Sequence, residues 1–175
     1  MVETLEKLFQ ENIKDLYSAE KQFLAGMKKL SKKAESQELK QALDQHIEQT
    51  EEHVKRIEQV AEICGTKPSG KACKAAQGLV EEAVEHLEEV EQGPVLDAAI
   101  VECAQKNEHY EICSYGTLIA WAGQLGLDKA IPILQKTLDE EKQADELLSK
   151  VAEQSVNTQA QSNESETSKP KATVR

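Results

Sequence analysis

Glu108 and Glu111 stand one helical turn apart on a face that should otherwise be apolar. Around them Val101, Ala104, Glu108, Glu111, Tyr115, Leu118 and Ala122 recur at spacings of three and four, which puts them on one side of an α-helix. Two carboxylates on a core-facing stripe are costly unless a positive charge neutralises them. A bound metal pair is the simplest such charge, and it demands ligands at the same level from other helices. Three stretches supply them. Glu20 interrupts the apolar series Leu5, Phe9, Leu16, Phe23, Met27 and Leu30. His46 and His53 lie on a stripe with Leu39, Leu43, Thr50, Ile57 and Val60. Glu141 and Asp145, four apart and so stacked, are bracketed by Leu138 and Leu148. The candidate metal ligands are therefore Glu20, His46, His53, Glu108, Glu111, Glu141 and Asp145. His46 and His53 are separated by about 10 Å along their helix axis. They can hardly both touch one ion, which leaves one of them to an outer layer or to capping the site. Glu48 and Glu51 have the spacing of a ligand pair but point to a neighbouring face, and they read as solvated surface.

Four long helices are needed to position these groups. The pattern predicts helices over 2–33 and 37–64, with Ser36 as the N-cap of the second. The breaker run Gly65-Thr66-Lys67-Pro68-Ser69-Gly70 ends the second helix. A shorter amphipathic helix over 74–90 follows, burying Leu79, Val80, Ala83, Leu87 and Val90 and turning an acidic run to solvent. It would cross the bundle and return the chain to the end where it began. Gly93-Pro94 opens the next helix, which runs to 124; within it Gly116 would permit a close helix approach and Trp121 would join the core. The last helix is expected from Asp128 as N-cap, with Pro132 in its first turn. Beyond Ser155 the composition cannot bury a core, so 1–155 reads as one helical domain and 156–175 as a disordered polar tail.

Composition agrees with this plan. A chain of 175 residues that is 39% hydrophobic is long enough for a single domain with a core. Its net charge of −11 argues against nucleic acid and against an anionic membrane surface as partners. No apolar run approaches bilayer length and the N-terminus lacks a signal-peptide core, so a cytoplasmic location is expected. The four cysteines, Cys64, Cys73, Cys103 and Cys113, have no CxxC spacing and read as free thiols. Cys64 and Cys73 flank the Gly/Pro loop and are the pair that could approach each other.

The two long helix pairs look like copies of each other. Glu20 and Glu111 are 91 positions apart, and the same shift carries Val60-Ala61-Glu62 onto Val151-Ala152-Glu153, Leu43 onto Leu134 and Ile47 onto Leu138. The copies are not identical: Thr50 falls opposite Glu141, and Tyr17 opposite Glu108. The fold class that follows is all-α, a four-helix bundle of two pseudo-twofold helix pairs joined by an additional crossover helix.

Five blocks, in order, resemble the YciE/YciF-like branch of the ferritin-like superfamily, bacterial proteins associated with stress responses. They are Tyr17-Ser18-Ala19-Glu20-Lys21-Gln22, His46-Ile47-Glu48-Gln49-Thr50, Gly78-Leu79-Val80-Glu81-Glu82-Ala83, the run Ala104 to Ile112 with Ser114 to Leu118, and Thr137-Leu138-Asp139-Glu140-Glu141-Lys142. The resemblance covers about residues 3–155 and implies a ferritin-like bundle with a dimetal centre. One departure stands out. The ferritin pattern has Glu-x-x-His on both the second and the fourth bundle helix, whereas the last helix here offers Glu141 and Asp145 without a histidine. A carboxylate-rich site still suits two iron ions, or manganese. The expected function is a di-iron carboxylate protein reacting with oxygen or peroxide in stress protection, with Tyr110 and Tyr115 near the site. A non-catalytic helical stress protein acting by association is the alternative, its protonated carboxylates paired with His46 and His53. A homodimer through an apolar helix face is the expected assembly.

Overall fold

The computed structural model describes residues 1–167, with side chains as far as residue 162. It is helical, and among the described residues there is no strand. The helices are α1 (Leu5–Lys33), α2 (Gln37–Ile63), α3 (Lys74–Glu89), α4 (Pro94–Gln124) and α5 (Ile131–Val151); a π-helical turn, Ala152–Val156, leads into α6 (Asn157–Thr167).

Local chemistry explains most of the boundaries. Thr4 caps α1 by accepting from the Lys7 amide, and Ser36 caps α2 by accepting from Leu39. Gly65 and Gly126, at φ of 64° and 67°, end α2 and α4 in the left-handed conformation that glycine adopts without cost. Pro94 opens α4 after Gly93, as expected. The start of α5 differs from expectation. Its N-cap position is Ala130, with no side-chain cap, and Asp128 lies outside the helix. Leu127 instead bonds back to Ala122, and Ala130 to Leu127, so backbone turns take the place of an aspartate cap.

Two apolar clusters fix the helix directions. One joins Phe9 and Leu16 of α1 to Ile57 and Val60 of α2, Leu118 and Ala122 of α4, and Leu134 of α5. The other joins Leu30 of α1 to Leu39 and Leu43 of α2, Leu96 and Ile100 of α4, and Leu148 and Val151 of α5. The start of α1 thus meets the ends of α2 and α4, and the start of α5 meets the end of α2. Neighbours α1–α2, α2–α5, α5–α4 and α4–α1 are all antiparallel, and α3 lies against α1 and α4. Every candidate ligand falls between the two clusters. Each fully buried Leu, Ile or Phe contributes about 1.5–3 kcal/mol, which is how the fold tolerates a polar layer in its middle.

Three further expectations change. Gly116 faces open space; the close approach is at Gly26, where an added Cβ would stand 3.3 Å from a Val80 methyl. Trp121 is only partly buried at the edge of the first cluster. The chain does not leave the helix at 155: the π-helical turn inserts an extra residue into the winding, Val156 is buried in the second cluster, and α6 continues to Thr167. The remainder of the expected tail, 168–175, lies outside the described residues. All four cysteines are free.

Candidate metal centre

Five buried side chains of α1, α2 and α4, with Glu141 of α5, meet at one level. Glu20, His46, His53, Glu108, Glu111 and Glu141 are each at most 5% exposed. They fall into two groups whose ligand atoms lie within 4.8 Å of one another: His46, Glu108, Glu111 and Glu141 in one, and Glu20, His53 and Glu141 in the other. Glu141 belongs to both. The two imidazoles, 5.9 Å apart between ring centres, serve different groups. The sequence spacing left one of them to an outer layer or to capping the site, whereas here each has a ring nitrogen within one of the two groups.

Asp145 does not join them. Four residues advance a helix by 400°, so Asp145 stands about 40° around from Glu141, and the buried stripe of α5 passes through Ala144 and Leu148 instead. The Asp145 carboxylate accepts from the Gln105 side chain at 2.9 Å and lies 3.5 Å from the exposed His109. Glu48 and Glu51 are exposed as expected, and Glu51 pairs with Lys28 at 2.7 Å.

The inward-facing atoms have no hydrogen-bond partners. Among the described residues, the buried side-chain polar atoms without a hydrogen bond are Glu20 Oε2, His46 Nε2, His53 Nδ1 and both carboxylate oxygens of Glu108, Glu111 and Glu141. His46 Nε2 lies 3.1 Å from Glu108 and 3.2 Å from Glu141, and His53 Nδ1 lies 2.8 Å from Glu141. With the imidazoles protonated these contacts are ion pairs, which leaves both Glu111 oxygens and Glu108 Oε1 as the atoms of the cluster with neither a hydrogen bond nor an ion pair. Buried polar groups are nearly always paired, and a set of exceptions pointing at one centre calls for an explanation.

The outward-facing atoms, by contrast, are held. His53 Nε2 is 2.9 Å from Glu140, and the Arg56 guanidinium bonds the same carboxylate, with Nη2 3.2 Å from Oε1. His46 Nδ1 is 3.2 Å from Gln49 Oε1. Both outer partners are acceptors, so each ring donates an N–H outwards. Burial pulls both imidazoles down, but Glu108 and Glu141 outweigh it and hold them above the ordinary histidine range, so the inner nitrogens of the metal-free cluster carry protons that a bound cation would displace. A carboxylate or amide oriented this way fixes the tautomer of a ligating imidazole. Tyr115 donates to Glu20 Oε1. Tyr110 points away from the cluster, donating to Asp15 at 2.9 Å and touching the Cys73 thiol at 3.1 Å. The sequence reading did not single out Glu140, Arg56 or Gln49 as supports for the site. The available signal was their position: Arg56 stands one turn after His53, and Gln49 three residues after His46.

Protons compensate for the crowding of acids. Burial pushes the Glu20 carboxyl up to about 7, against the pull of His53, and Glu108 up to about 8, against the pull of His46. Burial and the neighbouring acids also raise Glu111 well above the carboxylate range. Burial acts on Glu141 in the same direction, but His46 and His53 outweigh it and hold that carboxyl low. The donor set is one of oxygens with two imidazole nitrogens, the kind that suits iron or manganese. Deprotonation of the raised acids would accompany binding. The residues therefore fit a metal pair.

Comparison with known proteins places the chain. A family model described as a domain of unknown function, DUF892, matches residues 4–161. Protein YciF of Escherichia coli (strain K12) is 43% identical over 161 residues, which span 91% of this chain and 97% of that protein. The crystal structure of the E. coli stress protein YciF aligns with a TM-score of 0.84 at 44% identity, covering 89% of this chain and 98% of the other. YcfI of Rhodopseudomonas palustris aligns with a TM-score of 0.83, also at 44% identity, covering 86% of this chain and 96% of that one. The chain belongs to the DUF892 family, with the stress protein YciF among its relatives.

Proposed function

We propose that this protein is a dimetal-carboxylate protein of ferritin-like architecture, holding two iron ions, or manganese in their place, and acting on dioxygen or peroxide in stress protection. The observation that carries the reading is the set of buried atoms that make no hydrogen bond, all of them on six side chains gathered into two groups that share Glu141. Glu20 and His53 would hold one ion, His46, Glu108 and Glu111 the other, and Glu141 would be shared. Redox-active ions bound there would supply electrons to an oxygen or peroxide substrate. The protein's part is to bury the site between two apolar clusters, orient both imidazoles from outside, and store protons on Glu20, Glu108 and Glu111 until cations displace them. The ferritin-like reading is supported by the antiparallel packing of α1–α2 and α4–α5, by α3 packing against α1 and α4, and by the offset relating Glu20 to Glu111. The proposal includes a cytoplasmic homodimer, to be checked by native mass.

Elemental analysis of aerobically purified protein tests the reading, with a Glu20→Ala/Glu111→Ala double variant alongside. Near two iron or manganese ions per chain, lost in a folded variant, is the expected result. No metal in either protein after reconstitution would leave a non-catalytic helical protein acting by association.

A further inference from the structure

The two helix pairs differ at one position in a way that opens the site. The shift that relates Glu20 to Glu111 also carries His53 onto Ala144. One copy fills that place with an imidazole, and the other leaves a methyl group. Beside Ala144, between α2 and α5, is a cavity of about 180 Å³ that reaches His46 and Glu108 at the cluster. Glu20 and His53 do not line it, so the cluster is approachable from one side.

The lining specifies the occupant. Buried Leu43, Ala144 and Leu148 form an aliphatic wall, while Gln45, Gln49 and Gln143, all more exposed, set a rim of neutral amides. The ionisable groups along it are His46 and Glu108 alone. An anion would have to approach a chain of net charge −11, and a cation would be drawn by an acidic mouth that this rim of amides does not provide. The occupant is therefore neutral, with an apolar body and one polar end. A cavity of about 150 Å³ holds benzene, so the body is about six heavy atoms in size.

We propose that this cavity binds small neutral alkyl hydroperoxides, with the alkyl group against Leu43, Ala144 and Leu148 and the hydroperoxy end towards His46 and Glu108. The choice of a hydroperoxide rests on the dimetal reading; binding of the amphiphile does not.

The two are separable by titrating the metal-free, full-length protein with tert-butyl alcohol, an unreactive stand-in for the hydroperoxide, and following methyl NMR signals. Saturable shifts at the Ala42, Ala144 and Leu148 methyls are expected, with affinity falling at least tenfold in Ala144→Leu, whose larger side chain fills the space. Absence of saturable shifts, or equal affinity in the two proteins, would overturn the proposal. If the variant does not fold, a size series on the parent decides. Binding of tert-butyl alcohol but not of the larger cumyl alcohol supports the pocket, and any other pattern overturns it. A chain that binds the alcohol but takes up no metal would refute the dimetal reading and leave the cavity a binder of small neutral amphiphiles. One that takes up metal but not the alcohol would do the reverse.

Discussion

At the scale of single residues, the best-defined feature is the bracing of His53. Glu140 lies 2.9 Å from its outer nitrogen and is itself tied to Arg56. Glu140→Ala should leave the ring free to turn and lower metal affinity about 10–100-fold, read by competition with a chromophoric chelator; an unchanged affinity would show that the brace does not matter. The inward acids should have the opposite effect on stability. A buried polar group left without a hydrogen-bond partner costs about 1–3 kcal/mol, a cost that an apolar side chain of similar size does not carry. Glu111, with both oxygens unpaired, is the clearest case. Glu111→Leu should raise the urea midpoint of the metal-free protein while abolishing metal uptake, and a lowered midpoint would mean that the acid is better satisfied than its geometry indicates. The acids were legible in the sequence because each breaks an apolar period. Asp145 shared that period but sits a few tens of degrees around the helix, where a side chain can escape to Gln105. Glu140 was not legible as a brace, because a half-buried carboxylate next to a core position looks like any surface acid.

At the scale of elements, the turn between α1 and α2 depends on a residue far away in the chain. Buried Asp97 of α4 accepts from the Glu35 and Ser36 amides at 2.9 and 2.8 Å. Asp97→Ala leaves two donors unpaired and should cost about 1–3 kcal/mol, measured by chemical unfolding; no loss would show that water replaces the carboxylate. Gly26→Val tests how closely α3 is seated, since even a Cβ would stand 3.3 Å from Val80. A loss of about 1–3 kcal/mol is expected from overpacking. Helices α1 to α4 were legible to within three residues, because apolar periodicity, Ser36 and the glycine stops agree. The start of α5 was not, since Asp128 has the chemistry of a cap but backbone turns occupy that corner. The end was missed for another reason. Polar composition suggested an end at 155, and one buried valine, Val156, continues the packing past it.

At the scale of the whole molecule, a metal bound at the cluster would compete with protons for it. Glu20 and Glu108, raised to about 7 and about 8, hold protons at neutral pH that an unfolded chain would release near the ordinary carboxylate value. Between those limits the folded state binds more protons than the unfolded one, so the stability of the metal-free protein should fall as pH rises from about 5 to about 8. Metal affinity should rise over the same range, because fewer protons remain to be displaced. Thermal unfolding of metal-free and metal-loaded protein across that range checks both. A metal-free protein that gains stability with pH would contradict the proton assignment. The measurement that bears most directly on the central claim is a crystal structure of iron-loaded protein, with anomalous scattering collected at the iron edge. The account predicts two peaks, one among His46, Glu108, Glu111 and Glu141 and one among Glu20, His53 and Glu141. Full iron loading with no peak at this cluster would contradict it.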